Sequence, residues 1–448
     1  MADHIESLVE DAIALLRGGE NARARTLAER ALALEPSRAE AKNAMGLVET
    51  ADQEHEAARR HYAAAVAAAP DNAAYKVNLG YSYVLTGEFE RAREEFDRAL
   101  ALDPDNASAY QNIVWITKIR PGDPIIDALG RLKAKLQECS DDFIKVAYAR
   151  GKCLDDIGDY DAAFAEFRAA NECRPSRYDR RRHEMFFSDV KTVWTDSFLN
   201  ARRAEGFKSP KPVFIVGMPR TGSTLLEEKL SARADVVALG EIPDIISMAG
   251  AMSRAHPRRA EFPHWCVDAP SGAFGGLGRL YVEKFERKHP AAERFINKAL
   301  LNFAYAGMIA AMLPEALIVE SRRNPVDACL SCYFKDLKEI HHYAVRLDTL
   351  GHLYRLYADV MAHWRATLEN FLTVAYEAFI GDADGATRRL HAAMGLSGDA
   401  AGSEPGIRPI QTFSAWQVRQ PIYPESAGRW RNYEKHIGPL VDALGDLA

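Results

Sequence analysis

The sequence predicts an all-helical solenoid of short repeats followed by a P-loop-like α/β domain with a central parallel sheet. Three observations predict it. Pro36, Pro70 and Pro104 stand 34 residues apart, each closing a similar Ala-rich phrase, as a tandem array of helix pairs requires. From Lys211 onward, apolar runs of strand length alternate with helical stretches, the pattern of a parallel sheet with crossover helices. Between the two halves, Pro212 to Thr224 reads as a strand that feeds a tight glycine-containing loop and opens a helix.

In the first half, Gly46 and Gly80 keep the same period, and so do Ala24, Ala58 and Ala92, and Ala31, Ala65 and Ala99. Small residues in these places let two antiparallel helices approach, and the proline ends each unit. The pattern resembles the tetratricopeptide repeat, best in the third copy with Leu79, Gly80, Tyr83, Ala92, Phe96, Ala99 and Pro104. A later copy restarts with Gly151, Leu154, Ala163, Phe167, Ala170 and Pro175. Gly151 and Pro175 lie 71 residues beyond Gly80 and Pro104, which leaves room for one degenerate unit around Pro121, Gly122 and Pro124. The solenoid is assigned to residues 1–176, a helical linker with the basic run Arg177, Arg180, Arg181 and Arg182 to 177–210, and the second domain to 211–448. The basic run reads as a solvated helix face.

In the second half, Val213 to Val216 is an unbroken apolar run, read as a strand buried on both faces, and Leu225, Leu226 and Leu230 follow at helical spacing. Gly217 and Gly222 stand five apart, as in a loop whose backbone N–H groups and helix N-terminus cradle an anion. Ser223 stands where a triphosphate-binding loop carries its lysine, and a cation, Arg220, sits inside the loop instead. Further strands are expected at Val236 to Leu239, Ala316 to Glu320 and Phe371 to Ala375. After the third of these four runs comes Ser321-Arg-Arg-Asn-Pro-Val-Asp-Ala-Cys-Leu-Ser331, in which Asn324 and Pro325 read as the N-cap and first residue of a helix. Arg322 and Arg323 then stand beside its positive end.

Met-Pro-Arg-Thr-Gly-Ser-Thr (218–224) resembles the 5′-phosphosulfate loop of sulfotransferases, and Arg323 to Ser331 matches their Arg-Asn-Pro-x-Asp-x-x-x-Ser segment. From about Lys211 to the end the chain resembles a sulfotransferase domain. With the repeats it is similar to bacterial tetratricopeptide-repeat sulfotransferases, relatives of tyrosylprotein sulfotransferases. The resemblance implies metal-free use of 3′-phosphoadenosine 5′-phosphosulfate, with Arg220, Thr221, Gly222, Ser223 and Thr224 on the 5′ side and Arg323 and Ser331 on the 3′-phosphate. Leu239-Gly-Glu-Ile-Pro implies Glu241 as the catalytic base. Phe295-Ile-Asn-Lys298 implies Lys298 as a cation on the sulfuryl side, with Asn297 where the family carries an acid. Arg220 joins Glu241 and Lys298 in the expected catalytic set. Val374-Ala-Tyr-Glu377 implies Tyr376 near the adenosine, and Ser414 to Trp430 resembles the segment that closes over the nucleotide, implying Ser414, with Arg419 and Arg429 beside the phosphates.

Composition limits the alternatives. A net charge of −6 argues against general nucleic-acid binding, which needs clustered Lys and Arg. The first residues lack a basic and apolar leader, and no apolar run reaches the ~18 residues of a membrane span, so a cytoplasmic protein without a membrane partner is expected. Six scattered cysteines are too few for a disulfide scaffold, and Cys329 and Cys332 read as buried helix residues rather than metal ligands. The concave face of the solenoid is a candidate site for a peptide or protein acceptor. The reading leaves open a glycan, lipid or small-molecule acceptor, a homo-oligomer, a P-loop kinase-like phosphotransferase, and a repeat scaffold without catalysis.

Overall fold

Glycine and alanine at fixed intervals determine how the first helices pack. In the computed structural model, ten helices run through the repeats: α1 (Ala2–Arg17), α2 (Asn21–Leu34), α3 (Ala39–Ala51), α4 (His55–Ala68), α5 (Ala73–Thr86), α6 (Phe89–Leu102), α7 (Ala107–Trp115), α8 (Pro124–Lys135), α9 (Asp141–Asp156) and α10 (Tyr160–Glu172). The structure describes residues 2–337, 339–396, 416, 419 and 427–448. Gly46, Gly80 and Gly151 face the rings of Tyr62, Phe96 and Phe167 so closely that a Cβ would sit 2.6 to 2.7 Å from a ring carbon. Each aromatic follows its glycine by the same interval, so one contact is stamped out three times. The turn between paired helices repeats too, with positive φ at Gly19, Gln53, Gly87 and Gly158. Helices α7 and α8 form the irregular unit, opened by Asp123, whose carboxylate accepts from the Ile125 N–H beside Pro124.

The chain divides into two units, Met1–Cys173 with Ile407–Gln420, and Arg174–Gly406 with Pro421–Ala448. Cys139 and Cys173 form a disulfide in the first. One bridge is no scaffold. Cys153, Cys266, Cys329 and Cys332 are free and buried.

The second unit begins with α11 (Arg180–Val193) and α12 (Asp196–Arg203). Arg180, Glu184 and Lys191 of α11 pair with Asp348, His352 and Asp359, all on the later helix α18 (Leu347–Thr367). The constant sequence offset of these pairs, 168 residues, means that the two helices run parallel and in register. The chain then continues through β1 (Pro212–Gly217), α13 (Ser223–Leu230), β2 (Val236–Gly240), α14 (Asp244–Ala255), α15 (Ala273–Lys288), β3 (Arg294–Asn297), α16 (Ala306–Met312), β4 (Leu317–Arg322) and α17 (Pro325–Tyr333). After α18 come β5 (Phe371–Ala375), α19 (Tyr376–Gly381), α20 (Ala383–Ala393) and α21 (Gly438–Leu444).

The five strands form one parallel sheet in the order β2-β3-β1-β4-β5. All six residues of β1 are buried, as a central strand covered on both faces requires. Val213 and Ile215 pack with Leu226, Leu230, Ile296, Val319, Phe379 and Leu390 on one face, and Phe214 meets the Tyr281 ring on the other. Strand β3 is the one the sequence did not announce, because only Phe295 and Ile296 are apolar between Arg294 and Asn297. Its place beside β1 brings the carboxyl ends of all five strands to one edge, where ligands of open parallel sheets bind.

Candidate active site

Backbone geometry shapes the loop after β1. Gly217 has φ 150°, and a Cβ there would lie 2.5 Å from the Ser321 carbonyl oxygen, so the loop can lie this close to β4 only with glycine. Thr221 Oγ1 donates to the Met218 carbonyl at 2.9 Å, and Ser321 Oγ donates to the Thr221 carbonyl at 3.0 Å. Cys332 Sγ of α17 donates to the Pro219 carbonyl at 3.4 Å. Gly222, with φ 88°, is the N-cap of α13, and Ser223 and Thr224 are buried in its first turn. The N–H groups of such a turn have no intrahelical acceptor and face outward from the helix end, ready for an anion.

The two motifs far apart in sequence meet beside this loop. Arg220 is in the left-handed region at φ 69°, and its Nε donates to Ser331 Oγ at 3.1 Å. Arg323 Nη1 donates to the Arg220 carbonyl at 3.1 Å, and its guanidinium lies 4.9 Å from the Tyr376 ring centroid. The Tyr376 ring in turn covers Gly222, where a Cβ would come within 2.3 Å of a ring carbon. Burial pushes the Arg220 guanidinium down to about 10 and the nearby Arg323 charge adds to this, while Cys332 and Tyr376 oppose it. Arg220 therefore stays protonated at neutral pH, and two cations are concentrated at a helix end that already favours negative charge.

Helix α17 is held in place for this purpose. Asn324 accepts from the Asp327 N–H as N-cap and Pro325 occupies the first turn, as the sequence predicts. The Asn324 N–H donates to Glu377 Oε1 at 2.8 Å, and Tyr354 Oη donates to the Arg323 carbonyl at 3.1 Å. The carboxylate of Asp327 accepts from Gly428 N at 2.6 Å and Trp430 N at 3.0 Å, which brings the exposed Arg429 to the same helix end.

A second cluster forms at β2 and β3. The Lys298 N–H donates to the Gly240 carbonyl at 2.8 Å, continuing the ladder past Asn297. Its Nζ lies 2.7 Å from Glu241 Oε1 and 3.9 Å from Glu227 Oε2. Lys298 is 1% exposed, and the Glu241 side chain is 50% exposed. Burial alone pushes the ammonium down, yet Glu227 and Glu241 together outweigh it and hold Lys298 above the ordinary lysine value. Asn297 bonds Tyr281 Oη, the Ala299 N–H and Asn302, and so shapes the turn that presents Lys298. Asp244, the next carboxylate after Glu241, pairs with Lys284.

Glu227 was missed by the sequence reading. Its Oε1 also accepts from Gly240 N at 3.2 Å, so one side chain braces both the end of β2 and the lysine. A signal existed: it lies three residues before buried Leu230 and four after buried Ser223, hence on the inward face of α13. The Arg419 guanidinium, expected beside the phosphates, lies 5.7 Å from the Phe89 ring centroid in the repeat unit. Ser414 lies outside the described residues.

Taken along the sheet edge, the residues follow strand order: Glu241 after β2, Lys298 after β3, the Arg220 loop after β1, Arg323 after β4 and Tyr376 after β5. At about 4.8 Å per strand, the row spans ~19 Å. Among the described residues, no group of three or more His, Cys, Asp or Glu could hold a metal ion, and no helix is long and apolar enough to cross a membrane.

The sequence model of the sulfotransferase family matches residues 212–400, and tetratricopeptide-repeat models match 10–73 and 49–114. A relative from Aquifex aeolicus (strain VF5), described as an uncharacterized protein, is 28% identical over 310 residues, covering 65% of this chain and 40% of the relative. The chain thus spans about 40% of that relative's length. Among solved structures, the sulfotransferase domain of the Synechococcus PCC 7002 olefin synthase is 16% identical with a TM-score of 0.33, covering 50% of this chain and 88% of its own. The tetratricopeptide-repeat protein YrrB is 18% identical with a TM-score of 0.28, covering 38% of this chain and 86% of its own. The chain therefore joins tetratricopeptide repeats to a domain that the sulfotransferase family model matches over residues 212–400.

Proposed function

We propose that the chain transfers a sulfuryl group from 3′-phosphoadenosine 5′-phosphosulfate to a hydroxyl, with a polypeptide side chain such as tyrosine as the acceptor. The observation that carries this is the ordered row along the sheet edge, in which carboxylate, buried ammonium, anion loop, arginine pair and aromatic ring succeed one another. A donor with an adenosine at one end and a reactive sulfuryl group at the other needs those chemistries in that order. Tyr376 and Arg323 suit the adenosine and 3′-phosphate, and Ser331 adds a hydroxyl beside them. The α13 N-terminus, Ser223, Thr224 and Arg220 suit the 5′-phosphate.

At the other end Glu241, exposed to an incoming acceptor, takes the hydroxyl proton as the acceptor oxygen forms its bond to sulfur. The bond from sulfur to the bridging oxygen breaks, and the negative charge that gathers on the leaving 5′-phosphate is met by Lys298 and Arg220. Lys298 can serve there because burial excludes water around it while Glu227 keeps it charged. Ser223 in place of a lysine leaves the loop without the usual triphosphate grip, which supports the sulfuryl donor over a nucleoside triphosphate. The repeats support a polypeptide acceptor, in a cytoplasmic setting.

Incubation with sulfur-labelled donor and peptides bearing Tyr, Ser or Thr tests this. Label on a peptide hydroxyl, lost with Glu241→Gln, is the expected result. No label from this donor, with phosphate passed from Mg-ATP, would overturn it.

A further inference from the structure

We propose that the repeat unit carries a docking notch for a polypeptide with an aromatic residue followed three positions later by arginine, and that the chain fills this notch itself with Trp416 and Arg419. Trp416 and Arg419 group with the repeat unit Met1–Cys173.

The contacts are specific to the two side chains. Trp416 packs on the repeat core that contains Tyr62, Tyr83, Phe96 and Ile116, and the Lys152 ammonium lies 5.9 Å from its ring centroid. Lys152 is fixed for this by donating to the Thr117 carbonyl at 2.6 Å and pairing with Asp156. The Arg419 guanidinium lies over Phe89 and enters the turn at Gly87, where a Cβ would come within 2.3 Å of Nη1. The equivalent turn one repeat earlier carries Gln53, also at positive φ, so a side chain stands there where Gly87 leaves space. The Arg419 N–H donates to the Trp416 carbonyl at 3.2 Å, a single turn that presents ring and guanidinium together. Cation–π contacts on both sides select an aromatic and an arginine over aliphatic residues.

A polypeptide acceptor or partner with this pattern must displace the resident pair. The notch operates whether or not the other unit transfers sulfate. The probe is a fluorescein-labelled peptide with the sequence of residues 412–422, titrated by anisotropy into the full chain and into the full-length double variant Trp416→Ala, Arg419→Ala. A tethered competitor acts at an effective concentration on the order of 1 mM, so the variant is expected to bind at least about tenfold more tightly than the wild type. The same peptide with alanine at both positions is expected to bind neither. Equal affinity for both proteins, or none for a variant that melts normally, overturns the proposal. Should the double variant unfold, Arg419→Ala alone, which leaves the core contact of Trp416, must show the same direction of change.

Discussion

Lys298→Met keeps most of the side chain's length and removes its charge. In the wild type Nζ stands between Glu241 and Glu227, whose side chains are 50% and 11% exposed. Breaking a buried ion pair costs about 3–5 kcal/mol, but Glu241 can regain water and Glu227 keeps its bond from Gly240, so the expected loss is ~2–3 kcal/mol. The pH dependence is diagnostic. Because the folded pKa of Lys298 is raised, its stabilisation is fully present below the ordinary lysine value of about 10.4 and is lost as pH rises through the folded value. The variant should lack this alkaline decline. Urea unfolding across about pH 8 to 11 measures both effects. Adding Glu227→Gln should restore much of the stability by removing the stranded carboxylate. Sulfuryl transfer should stay about 10²-fold or more below wild type, because the cation is still missing. A Lys298→Met protein with unchanged stability and an unchanged alkaline limb would refute the reasoning.

Three further substitutions separate binding from chemistry. Glu241→Gln keeps the shape but not the base, so single-turnover transfer should fall about 10²- to 10⁴-fold while calorimetric affinity for adenosine 3′,5′-bisphosphate stays nearly constant. Arg323→Ala should weaken that affinity by about 1.5–3 kcal/mol, the range for a hydrogen bond to a charged group, and any smaller loss would remove Arg323 from the 3′-phosphate. Gly222→Ala places a Cβ against the Tyr376 ring at a backbone conformation of φ 88°, with a strain of about 1–2 kcal/mol before the clash. Calorimetry on this variant should show bisphosphate binding reduced at least tenfold, and wild-type affinity would mean that the loop tolerates the shift.

How much was legible depended on how local the cause is. The repeats could be read because each Gly-to-aromatic contact recurs within one unit. The α17 start could be read because Asn324 caps its own helix. Strand β1 declared itself through unbroken apolar residues, while β3, with two, is a strand only because β1 and β2 flank it. Glu227 meets Lys298 across two strands and two helices, and Cys139 meets Cys173 across two helices. Such pairs exist only once the fold has formed.

The central claim is a metal-free site for a 3′-phosphorylated adenine nucleotide, and calorimetry with adenosine 3′,5′-bisphosphate in the presence of EDTA tests it most directly. The account predicts one-site binding per chain, and at a hundred times its dissociation constant the ligand should add ~2.7 kcal/mol of stability. Binding should weaken with Arg323→Ala and persist with Glu241→Gln. No heat and no stabilisation from the bisphosphate, with clear stabilisation by Mg-ATP, would contradict it.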